Sequence, residues 1–456
     1  MLSLDLPFSS CSSYRQGYDR VMKYFALISL AVFMTACGSP DSSLPAEKPQ
    51  AETVQYSLDQ AGEDFVKIAL RMGEVDGDYV DAYSGPKAWR EAIKDTDVKA
   101  TTLEKDISAL SARIDGLENA NAVRARNLIK LLRAMAVRLD VVTGKTVSFD
   151  KEVSDIYDVK PPRYDLAEYD AVLAELDALV PGKGSTADRV NAFRNQFAIP
   201  KDKLKPVFDR AIEECRSRTQ KYFDLPETEK FRMEFVNNKA WSGYNYYQGN
   251  YESLIQINTD FPITIERAVD LGCHEGYPGH HVWNLFIERE LVGKRGWIEY
   301  SVNPLFGPFG PLAEGSGNFG IQLAFPGDEK MTFETEVLFP MAGLDTKEAS
   351  KFNRMLELES KLSHATNDIA RRYLDGQLSK EEAVPLIQKY YLQSYEKSEQ
   401  RLRFMEKYRG YVINYNIGQD IVRAYVTDAG ETPEAKWAAF RDMLTIPLTP
   451  SDMQGK

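Results

Sequence analysis

Residues 274 to 281 read His-Glu-Gly-Tyr-Pro-Gly-His-His, and they hold three of the four histidines in this chain of 456 residues. Imidazole is the commonest side-chain metal ligand, and a glutamate beside the first histidine supplies the base that a metal-held water needs. Metal-assisted hydrolysis around one zinc ion is the chemistry such a set would do. In the usual arrangement, H-E-x-x-H, the two histidines stand at i and i+4 on one helical face. Here position i+4 is Pro278, which offers no N–H to the carbonyl of His274 and pushes Tyr277 out of the helical region. The helix must be interrupted there. In an unbroken helix His281, at i+7, would share the face of His274 but lie about 10 Å away, too far for ligands that each approach zinc to about 2.0 Å. A loop-out at Pro278-Gly279 can bring His280 or His281 to the place of the second ligand. His280 needs the smaller insertion, and spacing leaves the choice open.

A catalytic zinc takes a third protein ligand and keeps one position for water. Downstream, a loop rich in Pro and Gly over residues 304–311 leads into Leu312-Ala313-Glu314-Gly315-Ser316-Gly317-Asn318. A carboxylate and an amide at i and i+4 can share one helical face, so Glu314 is the expected third ligand and Asn318 the group that would orient a ligand histidine. Taken alone, Glu314 would read as a solvated helix start. The histidine cluster is what singles it out. His364 lies far from the cluster without a Glu or Cys at ligand spacing, and reads as structural.

The elements that position these groups are mostly helical. Leu103, Ile107, Leu110, Ile114 and Leu117 draw one apolar stripe, and Leu166, Tyr169, Val172 or Leu173, Leu176 and Leu179 a second. Further helical patterns cover residues 61–73, 123–139, 201–223, 347–374 and 380–408, which predicts a mainly α, single large domain over residues 55–456. One segment departs from this. Tyr251, Ser253, Ile255 and Ile257 alternate with Glu252, Leu254, Gln256 and Asn258, the period of a short strand just ahead of the metal helix. A free strand edge there would pair with an extended peptide, making Tyr247, Tyr251 and Asn258 substrate-binding candidates; a hairpin strand in the core fits the same pattern. Trp241, Tyr244 and Tyr246 crowd the approach, to line a groove or simply to pack.

At the N-terminus, Met22-Lys23 and an apolar run over 24–34 lead into Thr35-Ala36-Cys37-Gly38. That is the pattern of a bacterial lipoprotein signal over residues 1–37, with Met22 an alternative start and Cys37 the lipid-accepting residue. Residues 38–54 then read as a flexible tether, which places the body in the cell envelope, facing the periplasm and most simply on the outer membrane. A net charge of −12 without a basic block argues against nucleic acid as partner. Cys215 and Cys273 remain for the folded body; an oxidising compartment permits a disulfide, and buried free thiols fit as well.

The octad at 274–281, Ala313-Glu314-Gly315, the run from Tyr408 to Gly418 (Y-R-G-Y-V-I-N-Y-N-I-G), Trp241 to Thr259 and Asp78 to Pro86 resemble the bacterial family called domain of unknown function 885. The resemblance implies a mostly helical fold with a deep cleft, distantly similar to the helical zinc oligopeptidases and carboxypeptidases, and the short strand read from the alternation would be a small β element beside the zinc helix. It implies His274, one histidine of the doublet and Glu314 as ligands and Glu275 as general base. Tyr415 becomes the candidate for holding the oxyanion, and Arg409 for the same task or for a substrate carboxylate. Peptide hydrolysis is the activity expected, with a peptide substrate and a membrane anchor as partners. The rival expectations are an idle envelope protein that binds peptides or a partner in the same cleft, and a hydrolase of other amides or esters.

Overall fold

The computed structural model describes residues 56–118, 122–239 and 241–454. The expected signal segment with Cys37 and the expected tether at 38–54 lie outside them. Residues Gln55–Lys456 form one compact unit, mostly helical with a few short strands.

The first helix, Leu58–Val75, starts at a capping box in which the Ser57 hydroxyl accepts from the Gln60 amide while the Gln60 side chain accepts from the Ser57 amide. Its buried face, Ala61, Phe65, Ile68, Ala69 and Met72, packs on the helices Ala100–Asp115 and Val123–Val142. Leu103, Ile107, Leu110 and Ile114 fill the other side of that seam. Burying side chains of this size contributes about 1.5–3 kcal/mol each. Two long helical patterns turn out to be broken. Residues 347–374 divide into Ala349–Lys361 and Ala365–Leu374. Residues 380–408 divide into Lys380–Tyr391 and Tyr395–Tyr408, because Leu392 adopts a left-handed backbone (φ 51°) whose carbonyl accepts from the Asn191 amide at 2.6 Å.

Five strands lie among the described residues. β1 (Val80–Tyr83) pairs antiparallel with β5 (Val302–Pro304). β2 (Lys230–Val236), β3 (Gly243–Gly249) and β4 (Glu252–Asn258) form a sheet ordered β2-β4-β3. The predicted strand is therefore central, parallel to β2 and antiparallel to β3. It has no free edge for a substrate. Ser253, Ile255 and Ile257 face the core from it, as the period of two requires.

Candidate metal centre

The chain approaches the site through the helix Glu266–Leu271, which passes into a π-helical turn at Gly272–Gly276 carrying His274 and Glu275. A π turn closes i to i+5 and so takes up extra residues. Tyr277 is then extended, the Tyr277–Pro278 bond is cis, and a new helix, His280–Phe286, begins after Gly279. The Gly279 amide donates to the Cys273 carbonyl at 3.0 Å. A Cβ on Gly279 would fall 1.8 Å from the His274 carbonyl oxygen, so only glycine permits the chain to double back this closely. The doubling back puts the His274 and His280 rings 4.6 Å apart. The turn is held from behind by a Cys215–Cys273 disulfide to the helix Leu204–Gln220.

The third member comes from the helix Gly310–Ala324. Glu314 Oε2 lies 3.2 Å from His274 Nε2 and 3.7 Å from His280 Nε2. One ligand atom from each of these three residues falls within 4.8 Å of the others. Glu314 Oε1 accepts the Tyr411 hydroxyl at 2.6 Å, whereas Oε2 is buried without a hydrogen-bond partner. An orphaned carboxylate oxygen between two imidazoles is costly unless a cation meets it. Two imidazoles and one carboxylate suit zinc in kind and number.

The tautomer of His274 follows from its neighbours. The Asn318 amide donates to the Tyr415 carbonyl at 2.8 Å, which turns its Oδ1 toward His274 Nδ1 at 3.0 Å. Nδ1 therefore carries the proton and Nε2 presents its lone pair to the centre. A Cβ on Gly317 would come 2.7 Å from His274 Nδ1, so that glycine lets the ring lie against the helix. Burial opposes charge on both His280 and Glu314, but their attraction wins. His280 is raised to about 9 and Glu314 sits well below the usual carboxylate range.

Other expected residues divide. Glu275 is 5% exposed beside the two histidines and its carbonyl is held by the Asn245 amide at 2.8 Å. Glu275 and Tyr415 both line the cleft that opens over the centre, a cavity of about 1500 Å³. Burial and the Glu314 charge keep the Tyr415 hydroxyl protonated, a donor. His281 is turned away and fully buried, with Nδ1 2.8 Å from Ser253 Oγ and Nε2 3.0 Å from Glu229 Oε2. The structure thus brings His280 and not His281 to the centre. Arg409 is not brought there either. It donates to Glu152 at 2.7 Å and to the Val147 carbonyl at 3.1 Å, pinning the 3₁₀ stretch Arg409–Asn414 that carries Tyr411. Tyr247 donates to Glu288 and Tyr251 donates its amide to Tyr247, both outside the cleft lining. Asn258 reaches the cleft, but its amide is spent on the Lys239 and Trp241 carbonyls, 3.0 Å each. His364 pairs with Asp420 at 2.7 Å.

Two residues escaped the sequence reading. Tyr411 lies in the Y-R-G-Y run, where only its hydroxyl contact to Glu314 reveals a role. Asp81, on β1, lines the cleft and accepts from Tyr244; burial raises its carboxyl, against that bond and the nearby His280 charge. The Asp78 to Pro86 resemblance was the one signal for it.

No family model matches the chain, and no curated protein matches its sequence. Among solved structures, a Colwellia psychrerythraea protein classed provisionally as a lipoprotein is similar at TM-score 0.52 and 12% identity, over 88% of this chain and 76% of that one. A Shewanella oneidensis protein classed the same way, of unknown function, aligns at 0.42 and 11% identity over 86% and 73%. An M32 carboxypeptidase from Deinococcus radiodurans aligns at 0.38 and 13% over 85% and 89%. The first likeness shows a shared fold.

Proposed function

We propose that the chain is a zinc-dependent peptidase acting on short peptides, with His274, His280 and Glu314 as ligands and Glu275 as general base. The observation that carries this reading is the unpartnered Glu314 Oε2 set against the Nε2 atoms of two histidines at the foot of a large cleft, with Glu275 alongside. A structural metal site gains nothing from an unligated acid next to it. Zinc bound there would supply a water with pKa near about 7 and polarise a scissile carbonyl. Glu275 takes a proton from the attacking water and passes it to the leaving amine. Tyr415, protonated and at the cleft wall, donates to the developing oxyanion. Asn318 fixes His274, and Tyr411 fixes Glu314.

β3 rather than β4 is the edge that can hold a peptide backbone, since it lies outermost in its sheet and Gly243, Tyr244, Asn245 and Tyr246 line the cleft. The test is cleavage of a mixed peptide set by zinc-loaded protein. Chelation should abolish cleavage and zinc restore it; cleavage indifferent to chelation contradicts the reading.

The same proposal places the protein on a lipid anchor at Cys37, in the bacterial envelope and facing the periplasm. The lipobox pattern supports it, and so does fold likeness to a protein classed as a lipoprotein. Radiolabelled palmitate should enter the wild type and not Cys37→Ala; equal labelling contradicts the anchor.

A further inference from the structure

The helix Tyr395–Tyr408 turns Lys397, Arg401, Phe404 and Tyr408 toward the cleft. Spacings of four, three and four put them on one face. Two cations a single turn apart repel unless an acid answers them. Other cations of the cleft are answered: Arg194 by Glu359, Lys330 by Asp270 and Glu334, Lys407 by Asp78. Among the described residues, Lys397 and Arg401 have no ion pair.

Lys397 lies 5.1 Å from the Phe261 ring. Burial, then the charges of Arg194 and Arg267, hold its ammonium below the usual lysine range. Arg401 donates to the Tyr391 hydroxyl and lies over the Tyr391 and Phe404 rings, 4.7 and 5.0 Å from their centroids, while its Nε is buried and unmet. A guanidinium fixed by two rings and short of an acceptor is built for a carboxylate. This chain shows the fit elsewhere: Arg124 gives Nε and Nη2 to the two oxygens of Glu299 at 2.6 and 2.9 Å. On Arg401 Nε is closed off and Nη2 is on a neutral hydroxyl, so the end that can meet a carboxylate from the cleft is Nη1, which makes no hydrogen bond among the described residues.

Position relative to the metal centre gives this site a meaning. Phe404, beneath Arg401, has its ring 6.4 Å from that of Tyr415, whose hydroxyl feels the charges of Glu314, Arg401 and Glu275. An extended peptide advances about 3.3–3.6 Å per residue, so a chain with its scissile bond at the centre can end at Arg401 within a few residues. We propose that Arg401, supported by Lys397 one turn away, binds the C-terminal carboxylate of the substrate, so that the enzyme removes residues from free C-termini. This rests on the peptidase reading and names the substrate end that reading leaves open.

The test uses a mixed set of fluorescein-labelled tetra- to hexapeptides made as free acids and as C-terminal amides. Binding is measured by anisotropy on zinc-loaded Glu275→Gln, and turnover on wild type. Acids should bind about tenfold more tightly than amides or better. Adding Arg401→Gln should bring the acids down to the amide level, and Arg401→Lys should keep part of the difference. Equal binding of acids and amides to the protein that retains Arg401 would overturn the proposal, as would a preference that survives Arg401→Gln, or no peptide bound in either form. Failure of the peptidase reading looks different: acids would bind preferentially, yet wild type would leave them intact.

Discussion

Tyr411 donates its hydroxyl hydrogen to Glu314 Oε1 at 2.6 Å, and this single bond decides which oxygen of the carboxylate is left for a metal. Removing it frees Glu314 to rotate and takes away the group that orients the ligand. Tyr411→Phe should therefore weaken zinc affinity by about 10- to 100-fold while leaving the fold intact. Competition with a chromophoric chelator would measure it. An unchanged affinity would mean that packing alone positions Glu314.

The two histidines of the doublet should separate in experiment. His280→Ala should abolish stoichiometric zinc binding with little loss of stability. His281→Ala should retain zinc but lower Tm, because it leaves Ser253 and Glu229 buried without their partner. Metal analysis alongside thermal melts distinguishes them, and zinc lost only from His281→Ala would reverse the assignment.

Glu229 gives a pH signature. Burial opposes its charge, but hydrogen bonds from His281, Tyr277 and Arg216 prevail and lower its carboxyl to about 2. A depressed carboxylate stabilises the fold above its unfolded pKa, near about 4.3, and that contribution is lost as pH falls toward 2. Glu229→Gln should thus have a lower Tm than wild type at pH 7, with the gap shrinking progressively below about pH 4. A gap that is constant with pH would show that the charge on Glu229 does not stabilise the fold.

The Cys215–Cys273 disulfide closes a sequence separation of 58 residues immediately beside His274. Cross-links over loops of this length contribute roughly 2–4 kcal/mol. Cys215→Ser should lower stability in that range by denaturant titration and should also weaken zinc binding, since the π turn loses its brace. Unaltered metal affinity would show that the turn is held by its helices alone.

Much of this was legible in the residues. The stripe through Leu103 and Ile114 and the alternation through Ser253 and Ile257 reported helix and strand because burial on one face enforces their periods. The interruption at Pro278 was equally legible, since proline chemistry is local. The choice between His280 and His281 was not: it depends on the π turn and on Glu229 and Ser253, which approach from elsewhere in the chain. Arg409 illustrates the same limit. Its motif lies beside the site, yet a buried Glu152, remote in sequence, claims the side chain. The central place of β4 was hidden because β2 and β3 are read only once paired, and the break at Leu392 because Asn191 holds it from another helix.

The most direct measurement is zinc content and peptide cleavage of the purified protein beside Glu275→Gln. A catalytic zinc site with Glu275 as its base predicts near-stoichiometric zinc in both and cleavage slowed by about 10²- to 10⁴-fold in the variant, as for loss of a general base. Equal cleavage by the two proteins, or no zinc retained by the wild type after reconstitution, would contradict it.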